Sequence, residues 1–120
     1  HIVSYMRASL TADGVRSALG LRTLRHGQWA RVAGRVISRQ RPETAKGFMF
    51  ISLEDETGFV NIIIPPKIFA RYWSLLTRAL ALIVEGPVSC EQDVWNVKGV
   101  RFKRLVLPGG EHGPAPYSFR

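Results

Sequence analysis

Cysteine is nearly absent from this chain. Cys90 is the single one in 120 residues, which excludes an internal disulfide and suits a reducing cytosol. Long apolar runs are missing as well. No stretch approaches the ~20 residues that a membrane helix needs, and the start His1-Ile-Val-Ser-Tyr-Met-Arg7 is too short and too polar for a signal peptide. His1, His26, His112 and Cys90 lack metal-ligand spacing. No Walker loop, dinucleotide fingerprint or Gly-x-Ser-x-Gly motif occurs. Acids are scarce, 9 Asp and Glu against 17 Lys and Arg, for a net charge of +8 and a pI near 10.6. Their densest group, Glu54-Asp55-Glu56, has the setting of a solvated hairpin turn rather than of a two-metal carboxylate centre. Neither catalysis nor a cofactor nor a metal site is expected of this chain.

What remains is a basic chain with a real core. At 120 residues and 46% hydrophobic content it suits one domain, at most with an appendage. The charge favours an anionic partner, nucleic acid first and an acidic membrane surface second. The opening at His1, without an initiator Met, reads as a fragment of a larger protein.

Residues 1–28 read as a helical lead-in. Ile2, Val3, Met6 and Leu10 recur at near-helical spacing, Thr11 to Gly14 is a stop signal, and Val15, Ala18, Leu19 and Leu21 suit a second short helix. The compact domain spans 29–107. Residues 29–40 form a long first strand, with Val32 and Val36 facing the core and Arg31, Arg35 and Arg39 opposite. Gly34 marks a bulge or bend in it. From Arg22 to Lys46 there are seven basic residues and one acid, Glu43. A loop over 41–47 carries Arg41 and Lys46 between Pro42 and Gly47. The second strand, 48–54, alternates Met49, Ile51 and Leu53 with Phe48, Phe50 and Ser52, so one face is aliphatic and the other aromatic. Asp55 to Gly58 makes a hairpin turn, with Gly58 free to take positive φ. The third strand, 59–64, puts Val60, Ile62 and Ile64 on one face and Phe59, Asn61 and Ile63 on the other.

Residues 66–78 carry an i, i+3, i+4 apolar face and predict a helix with Pro66 in its first turn. Residues 80–90 form a fourth strand kinked at Gly86-Pro87, Glu91 to Asp93 turns the chain, and 94–100 form a fifth, with Asn96 and Lys98 opposite Trp95 and Val97. Trp29, Trp73 and Trp95 read as core or rim. The Pro- and Gly-rich segment 108–120 is a tail or linker.

Three strands, a helix and two strands, after a helical lead-in, is the layout of the all-β OB-fold, a five-stranded Greek-key barrel. An SH3-like barrel lacks the helix between strands three and four. In OB-folds nucleic acid crosses the outer face of strands two and three, between the loops joining strands one to two and four to five. Mapped here, that face holds a basic loop, two aromatics and Asn61, flanked by Asn96 and Lys98. Lys and Arg neutralise phosphates, and Phe48 and Phe50 offer rings on which bases stack.

Val32-Ala-Gly-Arg-Val36, Arg39-Gln-Arg-Pro42, Thr44-Ala-Lys-Gly47, Phe50, Leu53-Glu-Asp-Glu-Thr-Gly58 and Asn61 together resemble the OB-fold domain of C-family bacterial DNA polymerases, the alpha-subunit type of DNA polymerase III. The loop is most similar to the error-prone branch, which works in damage-induced translesion synthesis. The resemblance implies a cytoplasmic, non-catalytic module that binds single-stranded template DNA. Its partners would be the rest of the polymerase chain and polymerase accessory proteins, with no membrane. The polymerase active site would lie outside this chain. The resemblance carries Arg39, Arg41, Lys46, Phe48, Phe50 and Asn61 over as the binding positions, with Gly34, Gly47 and Gly58 as structural ones. Three alternatives stand beside it: the replicative alpha subunit, an RNA-binding OB domain of the aminoacyl-tRNA synthetase anticodon-binding type, and a protein-docking OB module.

Overall fold

The computed structural model describes residues 1–109; the tail expected over 108–120 lies, from residue 110 on, outside the described residues. After the lead-in come three strands, one helix and three more strands. Helix α1 is Arg7–Ala12 and α2 is Pro66–Arg78. The strands are β1 (Trp29–Gln40), β2 (Met49–Asp55), β3 (Gly58–Ile64), β4 (Ala81–Glu91), β5 (Val94–Lys98) and β6 (Arg101–Arg104). β1 pairs antiparallel with both β2 and β4, β2 with β3, and β4 with β5, while β3 runs parallel to β5. These pairings close the sheet into a mixed barrel in the order β1-β2-β3-β5-β4, with α2 between β3 and β4.

The aliphatic half of each alternation fills the barrel. Ile51, Leu53, Ile62, Ile64, Leu82, Val84 and Val97 are essentially inaccessible to solvent. α2 adds Leu76, also fully buried, and packs Ile68, Phe69, Tyr72 and Leu75 against the same core. Fully burying a side chain of this size stabilises the fold by ~1.5–3 kcal/mol.

Three local expectations change. First, the fifth strand runs on as β6, where the sequence pattern shows only a basic run. Val88 faces Val97 and Glu85 faces Arg101, so three steps along β4 match four along its partner. β6 is thus the continuation of β5 beyond a one-residue bulge at Gly99-Val100, where Gly99 N–H turns to Ile63 O (2.9 Å) and Val100 N–H to Glu85 O (2.9 Å). Second, the bulge in β1 is not at Gly34, which stays in register opposite Leu82; the shift falls between Val36 and Ser38. Gly34 answers a different need, close approach: a Cβ there would stand 2.6 Å from Glu54 O. Third, the lead-in is mostly 3₁₀, over Ile2–Met6 and Leu19–Thr23, with α1 between. Val15 is not helical. Gly14 reverses the chain at φ 77°, and Arg16 N–H then donates to Arg31 O (2.7 Å) at the edge of β1.

The lead-in packs tightly on the barrel. Leu21 and Leu24 join the main core, and Val3, Leu10 and Val15 form a second cluster with Ala33, Ala81 and Leu105. Among the described residues, no helix is long and apolar enough to cross a membrane.

Candidate nucleic-acid interface

Strand register assembles the candidate face row by row. Gln40, Phe50, Ile63 and Lys98 lie opposite one another across β1, β2, β3 and β5. Ser38, Ser52, Asn61 and Asn96 form the next row, and Arg35, Glu54 and Phe59 a third. These residues point outward because their strand neighbours Ile51, Leu53, Val60, Ile62 and Val97 are buried. The centre is polar: Ser52 Oγ donates to Asn61 Oδ1 at 3.0 Å, and the Asn61 side-chain amide N–H groups donate to no partner among the described residues. Aromatic rings stand on either side of that centre, Phe50 at 37% exposure and Phe59 at 64%. Sequence reasoning misses Phe59 as a site residue, although its alternation with Val60 already puts it beside Asn61.

The loop between β1 and β2 borders the Phe50 end. Lys46 is exposed, in the left-handed conformation (φ 55°), and Gly47 follows at φ 89°. Phe48 lies just before β2 and is half-buried, so it offers less ring than Phe50. Arg41 reaches across to α2: its guanidinium lies 4.1 Å from the centre of the Phe69 ring, and Nε donates to Gly47 O at 3.4 Å. Arg41 stays exposed, so its charge remains at the surface. The opposite loop, between β4 and β5, is a tight turn with Gln92 and Asp93 both at positive φ.

Two of the expected cations are elsewhere. Arg31 lies in the half of β1 that pairs with β4. It donates from Nε to Glu85 Oε2 (2.8 Å) and from Nη1 to Asp13 O (2.7 Å). Glu85 is buried, which opposes its charge, yet hydrogen bonds from Arg31 and Arg101 outweigh burial and hold its pKa below the ordinary value. Arg39 follows the bulge, which reverses the alternation of β1: it pairs with Ile51, whose side chain is inside. Its guanidinium donates from Nε to Leu76 O (2.7 Å) and from Nη2 to Ala79 O, capping the carboxyl end of α2. Desolvation lowers the Arg39 pKa. Both guanidinium groups bond within the fold, and the remaining candidates Arg35, Arg41, Lys46, Phe48, Phe50, Asn61, Asn96 and Lys98 sit on the face or its rim.

Comparison with known proteins is consistent with this geometry. A family model described as an OB-fold nucleic acid binding domain matches residues 30–109. The chain belongs to that OB-fold family. The chain is 42% identical over 106 residues to the error-prone DNA polymerase of Mycobacterium bovis, covering 88% of this chain and 10% of that protein. It is 44% identical over 94 residues to that of Burkholderia mallei, covering 78% and 9%. The chain thus spans about a tenth of the length of these relatives. Asparaginyl-tRNA synthetase from Pyrococcus horikoshii shares the fold, with a TM-score of 0.62 at 18% identity over 73% of this chain and 22% of its own.

The acidic turn of the OB domain has a role that differs from the solvated one expected. Asp55 is only 4% exposed. Its Oδ1 accepts from Thr57 N (2.8 Å), Thr57 Oγ1 (2.7 Å) and Gly58 N (3.2 Å), which shapes the turn. Its Oδ2 accepts from Ala18 N (2.7 Å) and Arg7 Nη2 (3.3 Å). Arg7 also grips Glu56 through both Nε (2.7 Å) and Nη2 (2.8 Å). The hydrogen bond from Arg7 lowers the Glu56 pKa despite some desolvation, and the same bond raises that of Arg7. Glu54 accepts from His1 Nε2 at 3.0 Å. The turn is therefore the latch that holds the lead-in. It does so at the Glu54 end of β2, about 13 Å from Phe50 at ~3.3 Å per residue.

Proposed function

We propose that this OB domain binds single-stranded DNA, as the template-binding module of an error-prone DNA polymerase that acts in damage-tolerant synthesis in the bacterial cytoplasm. The observation that carries the reading is the outer face of β2, β3 and β5, where Phe50 and Phe59 stand exposed around the Ser52–Asn61 pair with Lys98 at the end of the Phe50 row. Kinship with error-prone polymerases supports the choice of DNA over other polyanions. Bases stack on the rings, the Asn61 amide donates to a base edge or sugar, and Lys46, Arg41 and Lys98 neutralise phosphates. Such contacts are sequence-tolerant, since every base has a π-face and every nucleotide a phosphate. The rest of the polymerase chain supplies the catalytic centre, and accessory proteins dock elsewhere on the assembly.

Titration of labelled DNA and RNA oligonucleotides of matched sequence tests this. Phe50→Ala is expected to weaken DNA binding by ~1–3 kcal/mol, the worth of one stacked base. Tighter wild-type binding of RNA than of matched DNA would move the reading to an RNA-binding domain. Unchanged affinity in a folded variant would take the strand off this face.

A further inference from the structure

The loop between β1 and β2 does not end at open solvent; it leads onto α2. Arg41 stacks on Phe69 of that helix, and Gly47 packs so closely on Pro66 that a Cβ there would lie 3.0 Å from its ring. The outer surface of α2 is unusual. The helix contains no acid, and Lys67, Arg71 and Arg78 recur at i, i+4 and i+11, all exposed. Lys67 and Arg71 are one turn apart on the same side, about 6 Å along the axis at 1.5 Å per residue, and Arg78 lies in the second half of the helix. A kink at Tyr72 (φ −116°, ψ 19°) falls between Arg71 and Trp73. Trp73 stands at 54% exposure, with the Arg78 guanidinium 5.6 Å from its ring centre. Apolar packing does not explain an exposed indole on a helix free of acids. Spaced cations and an open aromatic ring are the chemistry that tracks a single strand.

We infer that the outer face of α2 is a second nucleic-acid contact, which extends the path of a single strand from β2 and β3 past Arg41 and Lys46 and along the helix. Lys67, Arg71 and Arg78 hold successive phosphates, and Trp73 stacks a base. The inference rests on the β2–β3 face being the primary site, and oligonucleotide length separates the two. A short strand fills the β2–β3 face; only a longer one reaches α2.

The test uses labelled oligothymidylates of about 6 and about 16 nucleotides, within the span of sites used by OB-folds. Lys67→Ala, Arg71→Ala and Arg78→Ala are combined in one variant, and Arg16→Ala, Arg22→Ala and Arg25→Ala in a control that removes equal charge from the lead-in. Circular dichroism and urea midpoints establish that both are folded. For the helix variant, the expected result is a roughly tenfold loss of affinity for the long strand and a salt slope shallower by about 2, at ~0.7 for each phosphate no longer neutralised. The short strand keeps its affinity, and the control keeps both. The long strand quenches tryptophan emission in the wild type but not in Trp73→Phe. Unchanged long-strand affinity in the helix variant, with Phe50→Ala still weakening binding, would overturn the helix path and leave the β2–β3 face intact. Equal losses in the control would reduce the effect to net charge and overturn it too. No binding at either length by the wild type would remove both readings.

Discussion

Arg39 and Lys46 carry the same charge seven residues apart and do different work. Arg39 turns inward after the β1 bulge and satisfies two carbonyls at the end of α2, whereas Lys46 stands free of hydrogen bonds and ion pairs among the described residues. Removing a donor from buried carbonyls costs about 1–3 kcal/mol. Arg39→Ala is therefore expected to lower the urea midpoint while leaving oligonucleotide affinity of the folded protein unchanged; a loss of affinity at constant stability would return Arg39 to the interface. The alternation of Met49 to Asp55 and of Phe59 to Ile64 makes the aromatic face legible in the sequence, because strand period alone decides which side chains share a side. Arg39 is not legible in the same way. One extra residue at Ile37 inverts every later position in β1, and no Gly or Pro marks that site. The partner of Arg31 is hidden for a different reason, since it lies 54 residues away on β4 and only barrel closure brings it there.

At the scale of elements, the hairpin between β2 and β3 joins the strand face proposed to bind the ligand to a turn that holds the lead-in. Glu56 and Glu85 both have depressed pKa values in the folded protein. A group of this kind contributes stability in full above its ordinary value, here 4.5, and loses it as pH falls through the depressed one. Stability is thus expected to fall as pH drops from about 5 toward 3. Glu56→Gln keeps the shape but not the charge, so its urea midpoint should vary less over that window; parallel curves would mean that Arg7 and Glu56 contribute no net pairing. This latch cannot be read from Glu54-Asp55-Glu56, whose composition is that of any exposed turn. The elements themselves are more legible: β1 and α2 fall where their periods of two and about 3.6 begin and end. β6 escapes because its bulge at Gly99-Val100 breaks the alternation that would have joined it to β5.

For the whole molecule, the excess of positive charge gives a long-range attraction to any polyanion, and local geometry must supply the rest. The charges that matter are those held beside rings. Arg41 and Lys46 lie in the loop that leads into β2 and Phe50, and under the proposed function they meet phosphates, which carry no sequence information. The decisive measurement is the salt dependence of single-strand binding by the wild type and by Arg41→Ala combined with Lys46→Ala. Wild-type binding should be saturable, with a logarithm that falls linearly with log salt. In the double variant affinity should weaken alike for all sequences, and the slope should become shallower by about 1.4, at ~0.7 per phosphate. An unchanged slope in the folded double variant, or no saturable binding by the wild type at physiological salt, would contradict a single strand lying along this rim.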